Sequence, residues 1–321
     1  MQNQASILAL FKDSDDETRC TPLLAGIPGI IRAVAGGNLA MTLENLKRTG
    51  IEPVLTILTA RLYPESRPNL VTTVRGLFPA TDFLLVSSTT DPFPPLQALA
   101  ADRVRHMAIN PAASPYGGEP ESRARFITAV RKLVERSPWE IADYVKLGTS
   151  IHEFAISSST EKAELIERVE AVIESDRPDM DLLRQKGALL ADEMLENAMY
   201  GAPRGEDGSK LYQKGELRTI QPREGIAFRY GFDGETLAME VVDGWGSLSP
   251  ELIMEFLAKN QDGGEVHDEG GGRGLFIIWR FLDHFHVTIC PGKKTVVGGH
   301  VRAASKLDPE APRGFHISTH F

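Results

Sequence analysis

The chain has 321 residues, enough for two domains of roughly 100 to 200 residues each. Its 42% hydrophobic and 25% charged residues are those of an ordinary packed protein, which excludes a disordered or fibrous chain. A formal net charge of -9 argues against a nucleic-acid partner, because covering a phosphate backbone takes a surplus of Lys and Arg on one face.

Met1 to Lys12 carries no cationic segment followed by an apolar core, so no export signal is read there. The apolar run Leu23 to Ala35 is interrupted by Gly26, Pro28, Gly29 and Arg32, so no membrane span is expected and the location should be cytoplasmic. Ser6–Phe11, Pro53–Thr59, Asp82–Val86 and Val104–Ile109 are apolar runs of strand length. Asn38–Thr49 and Pro95–Asp102 between them suit helices. That alternation predicts an α/β domain with a parallel sheet over residues 1–136. Pro111–Pro120 reads as a loop, and a helix over Glu121–Arg136, with Phe126, Val130, Leu133 and Val134 on one side, closes the domain. Residues 137–147 read as a connector. Cys20 and Cys290 have neither C-x-x-C nor zinc-site spacing and are expected as free thiols.

In the second half, Ile151–Ile156 suits a strand, and Ser159 is placed to cap a helix running to about Ser175. A second helix is expected over Asp181–Tyr200. The strand-like runs Ile226–Phe232 and Thr236–Asp243 are joined by the turn dipeptide Asp233-Gly234. Three segments here carry chemistry. Glu193 and Asn197, four apart, project from one helix face. They serve either a polar ligand beside a core-bordering stripe or an ordinary solvated face. Asp243-Gly244-Trp245-Gly246 puts a carboxylate at a strand end, able to accept from the exocyclic amine of a base; a plain turn is the alternative. Gly270-Gly-Gly272-Arg273-Gly274-Leu275 precedes the apolar segment Phe276–Phe285. It suits a helix N-terminus that holds phosphate, or a flexible connector.

Taken together, in this order and spacing, the three segments resemble the N box and the two glycine boxes of the GHKL (histidine-kinase-like) ATPase superfamily. The closing hairpin, His286–Cys290 and Thr295–Ala303, is similar to that family's last two strands, with Thr295 where the family has a Thr. The resemblance covers residues 148–305, with 306–321 as a C-terminal tail. It implies an α+β Bergerat-type sandwich of helices on a mixed sheet, with ATP and Mg2+ bound under a mobile lid of about Ser247–Glu269. It further implies Asn197 as a Mg2+ ligand and Glu193 as general base. Asp243 would read adenine, beside Gly244 and Gly246. Gly270, Gly272, Arg273, Gly274 and Leu275 would cradle the phosphates.

The arrangement looks more like the anti-sigma-factor serine kinases than the sensor histidine kinases. The expected function is therefore a Mg-dependent ATPase or protein serine/threonine kinase acting on a regulatory partner. The alternatives are a nucleotide-gated partner-binding module with little catalysis, and a histidine-kinase-type core. Two positions depart from the family: Trp245 replaces a glycine of the first box, and Tyr200 stands where histidine kinases often carry Lys. His152-Glu153 is read as a strand pair rather than a phospho-acceptor motif. The strand ends of the first half resemble a response-regulator receiver, but no Asp ends Pro53–Thr59 and Asn110 replaces the usual Lys. A receiver-like domain used for contacts or dimerisation, not phosphorylation, is expected. Asp13, Asp15 and Asp16 are read as a solvated loop. His284, His286, His300, His316 and His320 are read as scattered strand and tail residues.

Overall fold

The computed structural model describes residues 5–66, 69–88, 94–109, 120–173, 177–259, 272–303 and 313–320. Two units divide the chain: Met1–Ser137 with Glu310–Gly314, and Pro138–Pro309 with Phe315–Phe321. The protein is α/β, with a mixture of parallel and antiparallel strands and helices packed on them.

The first unit has strands β1 (Ser6–Phe11), β2 (Ile30–Val34), β3 (Pro53–Thr59), β4 (Asp82–Ser87) and β5 (His106–Ile109), all parallel, in the order β2-β1-β3-β4-β5. Helices α1 (Ser14–Leu24), α2 (Leu39–Thr49), α3 (Tyr63–Ser66), α4 (Asn69–Leu77), α5 (Leu96–Ala101) and α6 (Pro120–Glu135) alternate with them. Strands covered on both faces must be apolar nearly throughout, and β1, β3 and β4 are. Ile7, Ala9, Phe11, Leu55, Ile57, Leu84 and Val86 pack against Cys20, Leu23 and Leu24 of α1 and Phe126, Val130 and Leu133 of α6. Strand β2 was not expected from the sequence; it is a half-exposed edge strand inside a run broken by Gly and Pro.

The acidic loop after β1 is not solvated as expected. Asp13 caps α1 by accepting from the Asp16 N–H at 2.9 Å. Asp16 is only 2% exposed and accepts from the Lys12 N–H at 3.0 Å and the Thr59 hydroxyl at 2.5 Å. Asp15 alone points to solvent. The buried Asp16 carboxylate joins the ends of β1 and β3, where the strand order reverses.

The second unit contains β6 (Ile151–Ala155), β7 (Ala227–Phe232), β8 (Thr236–Asp243), β9 (His284–Cys290), β10 (Lys294–Arg302) and β11 (Gly314–Thr319), in the order β11-β9-β10-β8-β7-β6. The pairs from β9 to β6 are antiparallel. Its helices are α7 (Lys162–Val172), α8 (Pro178–Glu196), α9 (Pro250–Lys259) and α10 (Arg273–Phe281). Ser158, not Ser159, provides the N-cap: it accepts from Thr160 and starts a 3-10 turn that leads into α7. The segment expected as a tail contains β11. Among the described residues no helix is long and apolar enough to cross a membrane.

Side chains alternate between the two faces of this sheet, and the faces differ. One carries Leu237, Met239, Val241, Phe285, Val287 and Ile289, all buried. Helix α8 packs on that face; a Cβ on Gly187 would stand 2.9 Å from Leu237, so glycine permits the close approach. The other face carries Glu240, His284, His286 and His300, and residues 138–146 cover it. Tyr144 Oη lies 2.8 Å from His284 Nδ1 and 2.9 Å from His286 Nδ1. One phenol donates only once, so one of these imidazoles must donate to it. Trp139 stacks on Tyr144 and on His316. The expected connector is thus the lid of a second core, and four of the histidines read as scattered are gathered there.

Candidate functional site

Helix α8 buries Leu183, Leu190 and Met194 and leaves Glu193 and Asn197 half-buried one turn apart. At Asn197 the helix widens into a π-helical turn, Asn197–Gly201, and the Ala202 N–H donates to the Asn197 carbonyl at 2.7 Å. Such turns are frequent at functional sites. The first turn of α10 lies directly on these two side chains. A Cβ added to Gly274 would stand 2.8 Å from both Asn197 amide atoms and 2.9 Å from Glu193 Oε2. Two sequence segments 77 positions apart, Asn197 to Gly274, therefore meet at one point. Among the described residues, Asn197 Nδ2 is buried there without a hydrogen-bond partner.

Asp243 ends β8 and faces Thr295 directly across the antiparallel pair with β10. It is 4% exposed, and burial pushes its carboxyl up to about 6; the N–H groups of Trp245 and Gly246 and the Thr295 hydroxyl only partly oppose this. The Trp245 N–H donates to Asp243 Oδ1 at 2.9 Å. Thr295 Oγ1 lies close enough to favour the charged carboxylate but makes no hydrogen bond of good geometry. Trp245 Nε1 and Ser247 Oγ are likewise buried without partners. Gly246 adopts φ +56 where a Cβ would collide with the β9–β10 turn, 2.6 Å from Lys293 N. The Gly244 N–H donates to the Glu224 carbonyl at 2.6 Å. Gly187 at the middle of α8 lies beside Leu237 near the start of β8, and the π-helical turn that follows α8 lies against β8, so the C-terminal ends of α8 and β8 come to the same end of the unit.

Gly272 is the N-cap of α10 at φ +93 and offers no side chain to the first-turn N–H groups. A Cβ on it would run into the Phe256 ring of α9, so α9 sets the path of the chain into α10. Uncapped amides at a helix start, with the dipole behind them, suit an anion. Arg273 is exposed and Leu275 is buried under the helix. Gly270 lies outside the described residues. The first part of the expected mobile lid is a packed helix instead: α9 buries Ile253, Met254, Phe256 and Leu257, and residues 260–269 lie outside the described residues.

Glu196, Lys162, Arg218 and Glu224 carry no motif in the sequence. Glu196 is buried and takes Lys162 at 2.5 Å, which also reaches Asp192 at 2.7 Å. Burial would lower the Lys162 ammonium's pKa, but these hydrogen-bonded carboxylates outweigh it and raise it. Arg218 and Glu224 form a buried ion pair behind Gly244. Tyr200 is buried and its phenol donates to the Glu216 carbonyl at 2.6 Å, a structural role. His152 lies on edge strand β6, stacked on Tyr230. No protein-family model matches the chain, and no curated protein matches it.

Proposed function

We propose that the chain is an ATP-binding signalling protein of the GHKL (histidine-kinase-like) type. In this reading the second unit is a Bergerat-type sandwich that hydrolyses ATP or transfers its γ-phosphoryl group to a hydroxyl of a regulatory protein in the cytoplasm. The observation that carries the reading is the seating of Gly274 on Glu193 and Asn197. A glycine start to an uncapped helix, placed on a carboxylate and an amide, is a cradle for phosphate with a base beside it.

The residues present fit Mg2+ and ATP. Asn197 would offer Oδ1 to the ion, and its unpartnered Nδ2 would remain for a phosphate oxygen. Mg2+, when bound, neutralises charge on the phosphates. Glu193, half-buried, accepts the proton of the attacking water or hydroxyl. The α10 amides hold the phosphate oxygens, and Arg273 adds a cation. Asp243, once ionised, accepts from the adenine amine while Gly244 and Gly246 let the ring approach the main chain. Thr295 completes that wall with a hydroxyl that has no other bond.

A second reading is a nucleotide-gated module that sequesters a partner with little turnover. Trp245 in place of a glycine and the inward Tyr200 favour it, since neither supplies a group for phosphoryl transfer. His152 on an edge strand disfavours a histidine-kinase core. For the first unit, the order β2-β1-β3-β4-β5 supports the receiver-like reading. Thr59 ends β3 where a receiver carries its acceptor Asp, and it occupies the nearby Asp16, so that unit serves contacts or dimerisation.

The test is incubation with γ-labelled ATP, alone and with candidate partners, for wild type and Glu193→Ala. Turnover that falls at least a hundredfold in the variant supports the enzyme. Turnover unchanged by the substitution removes Glu193 as base, and acid-labile label would point to a histidine instead.

A further inference from the structure

The widened turn at the end of α8 leaves the Met199 carbonyl to a partner outside the helix, and Arg218 supplies it. The same guanidinium binds the Glu224 carboxylate; the two side chains are 4% and 2% exposed. The other Glu224 oxygen accepts from the Gln221 N–H at 2.8 Å, which fixes the 3-10 turn Pro222–Glu224. The Glu224 main-chain carbonyl accepts from the Gly244 N–H at 2.6 Å, and a Cβ on Gly244 would stand 2.9 Å from that oxygen. Tyr212 lies under the guanidinium, 3.5 Å from its carbon to the ring centroid. One ion pair thus runs from the turn that carries Asn197 to the glycine that follows Asp243.

Stability alone does not account for such a pair. Removing two charges from water costs more than their attraction commonly returns, and apolar residues of similar size often do as well or better. A planar guanidinium that donates to two acceptors does, however, set the distance and angle between the two groups that it bridges. We propose that Arg218 and Glu224 are positioning residues: they fix the Gly244 main chain against the end of α8, and so set how the Asp243 segment discriminates adenine from other bases. This rests on the nucleotide-binding reading above.

The test compares Mg-ATP and Mg-GTP affinities of the full chain with those of Arg218→Met/Glu224→Leu, which removes both charges and keeps the packing, and of Glu224→Gln, which keeps the side chain's size and removes its charge. Thermal unfolding is followed in parallel. The expected result is a double variant that melts at or above wild type yet loses at least tenfold in its ATP-to-GTP preference, mainly through weaker ATP binding. If the double variant melts early, the preference of Glu224→Gln decides by the same criterion. A purely structural pair would change the melting point and leave the preference of the folded protein within twofold, which would overturn the inference. Wild type that binds both nucleotides equally would overturn it too. Wild type that binds neither would overturn the nucleotide reading itself.

Discussion

Replacing Asp243 by Asn should make the protein more stable and blind to adenine. The wild-type carboxyl stands at about 6 against its ordinary 3.8 because burial disfavours its charge. An acid whose folded pKa is raised destabilises the fold above that value, and the penalty is relieved as pH falls towards the unfolded one. The displacement corresponds to about 3 kcal/mol at pH 7.5 and about 1 kcal/mol at pH 4.5. Asn keeps an oxygen for the Trp245 N–H and offers its NH2 to Thr295 Oγ1, which has no other bond. The variant should therefore melt about 6–12 °C above wild type at pH 7.5, with most of the gain gone at pH 4.5. Differential scanning at both pH values, with and without Mg-ATP, reads this. Nucleotide should raise the wild-type melting point and leave the variant's unmoved. A variant that melts below wild type at pH 7.5, or that keeps wild-type ATP affinity, would refute the reasoning.

Four further outcomes are expected. Wild-type ATP affinity should fall by up to about tenfold for each pH unit below 6, as Asp243 takes up a proton and loses the charge that strengthens its bond to the adenine amine; titration calorimetry across pH 5–8 checks it. Gly274→Ala forces a methyl onto Asn197 and Glu193 and should cost about 1–3 kcal/mol in urea unfolding while abolishing turnover. Trp139→Ala removes the ring stacked on Tyr144 and His316 and should cost about 3–5 kcal/mol, read by denaturation of the full chain. Burial pushes the Glu240 carboxyl up, but nearby His286 and Arg229 outweigh that and hold it below its ordinary 4.5. It therefore adds stability above pH 4.5 that is lost as pH falls through its folded value. Arg229→Met should shrink that acid dependence, measured as the difference in urea midpoint between pH 7 and pH 4.

Local patterns in the sequence carried most of the elements and the parts of the site that lie along one element. The Asp233-Gly234 turn, with Asp233 accepting from Glu235 and Thr236, set the β7–β8 hairpin and thereby the place of Asp243. The four-residue spacing put Glu193 and Asn197 on one face. What was not legible depends on distant pairing. Strand β2 is short and half-exposed, and its residues gain strand geometry only by lying beside β1. Arg218 and Glu224 sit in loop sequence with no period, and their partners, Met199 and Gly244, come from elsewhere in the chain. The histidines of β9, β10 and β11 show no ligand spacing because the sheet, not the sequence interval, brings them together beneath Trp139 and Tyr144. The burial of Asp16 has no local signal, since its hydroxyl partner, Thr59, is 43 residues away. Helix α9 falls within the expected lid because Gly- and Asp-rich sequence follows it, yet its Ile253 and Leu257 are buried.

The central claim is that the ends of α8, β8 and α10 form one Mg-ATP site. Isothermal titration of ATP into the full chain, with and without Mg2+, tests it most directly. The expected result is a single saturable site that Mg2+ strengthens in wild type and no longer strengthens in Asn197→Ala. Absence of heat from ATP at any Mg2+ concentration, with the chain folded by circular dichroism, would contradict it.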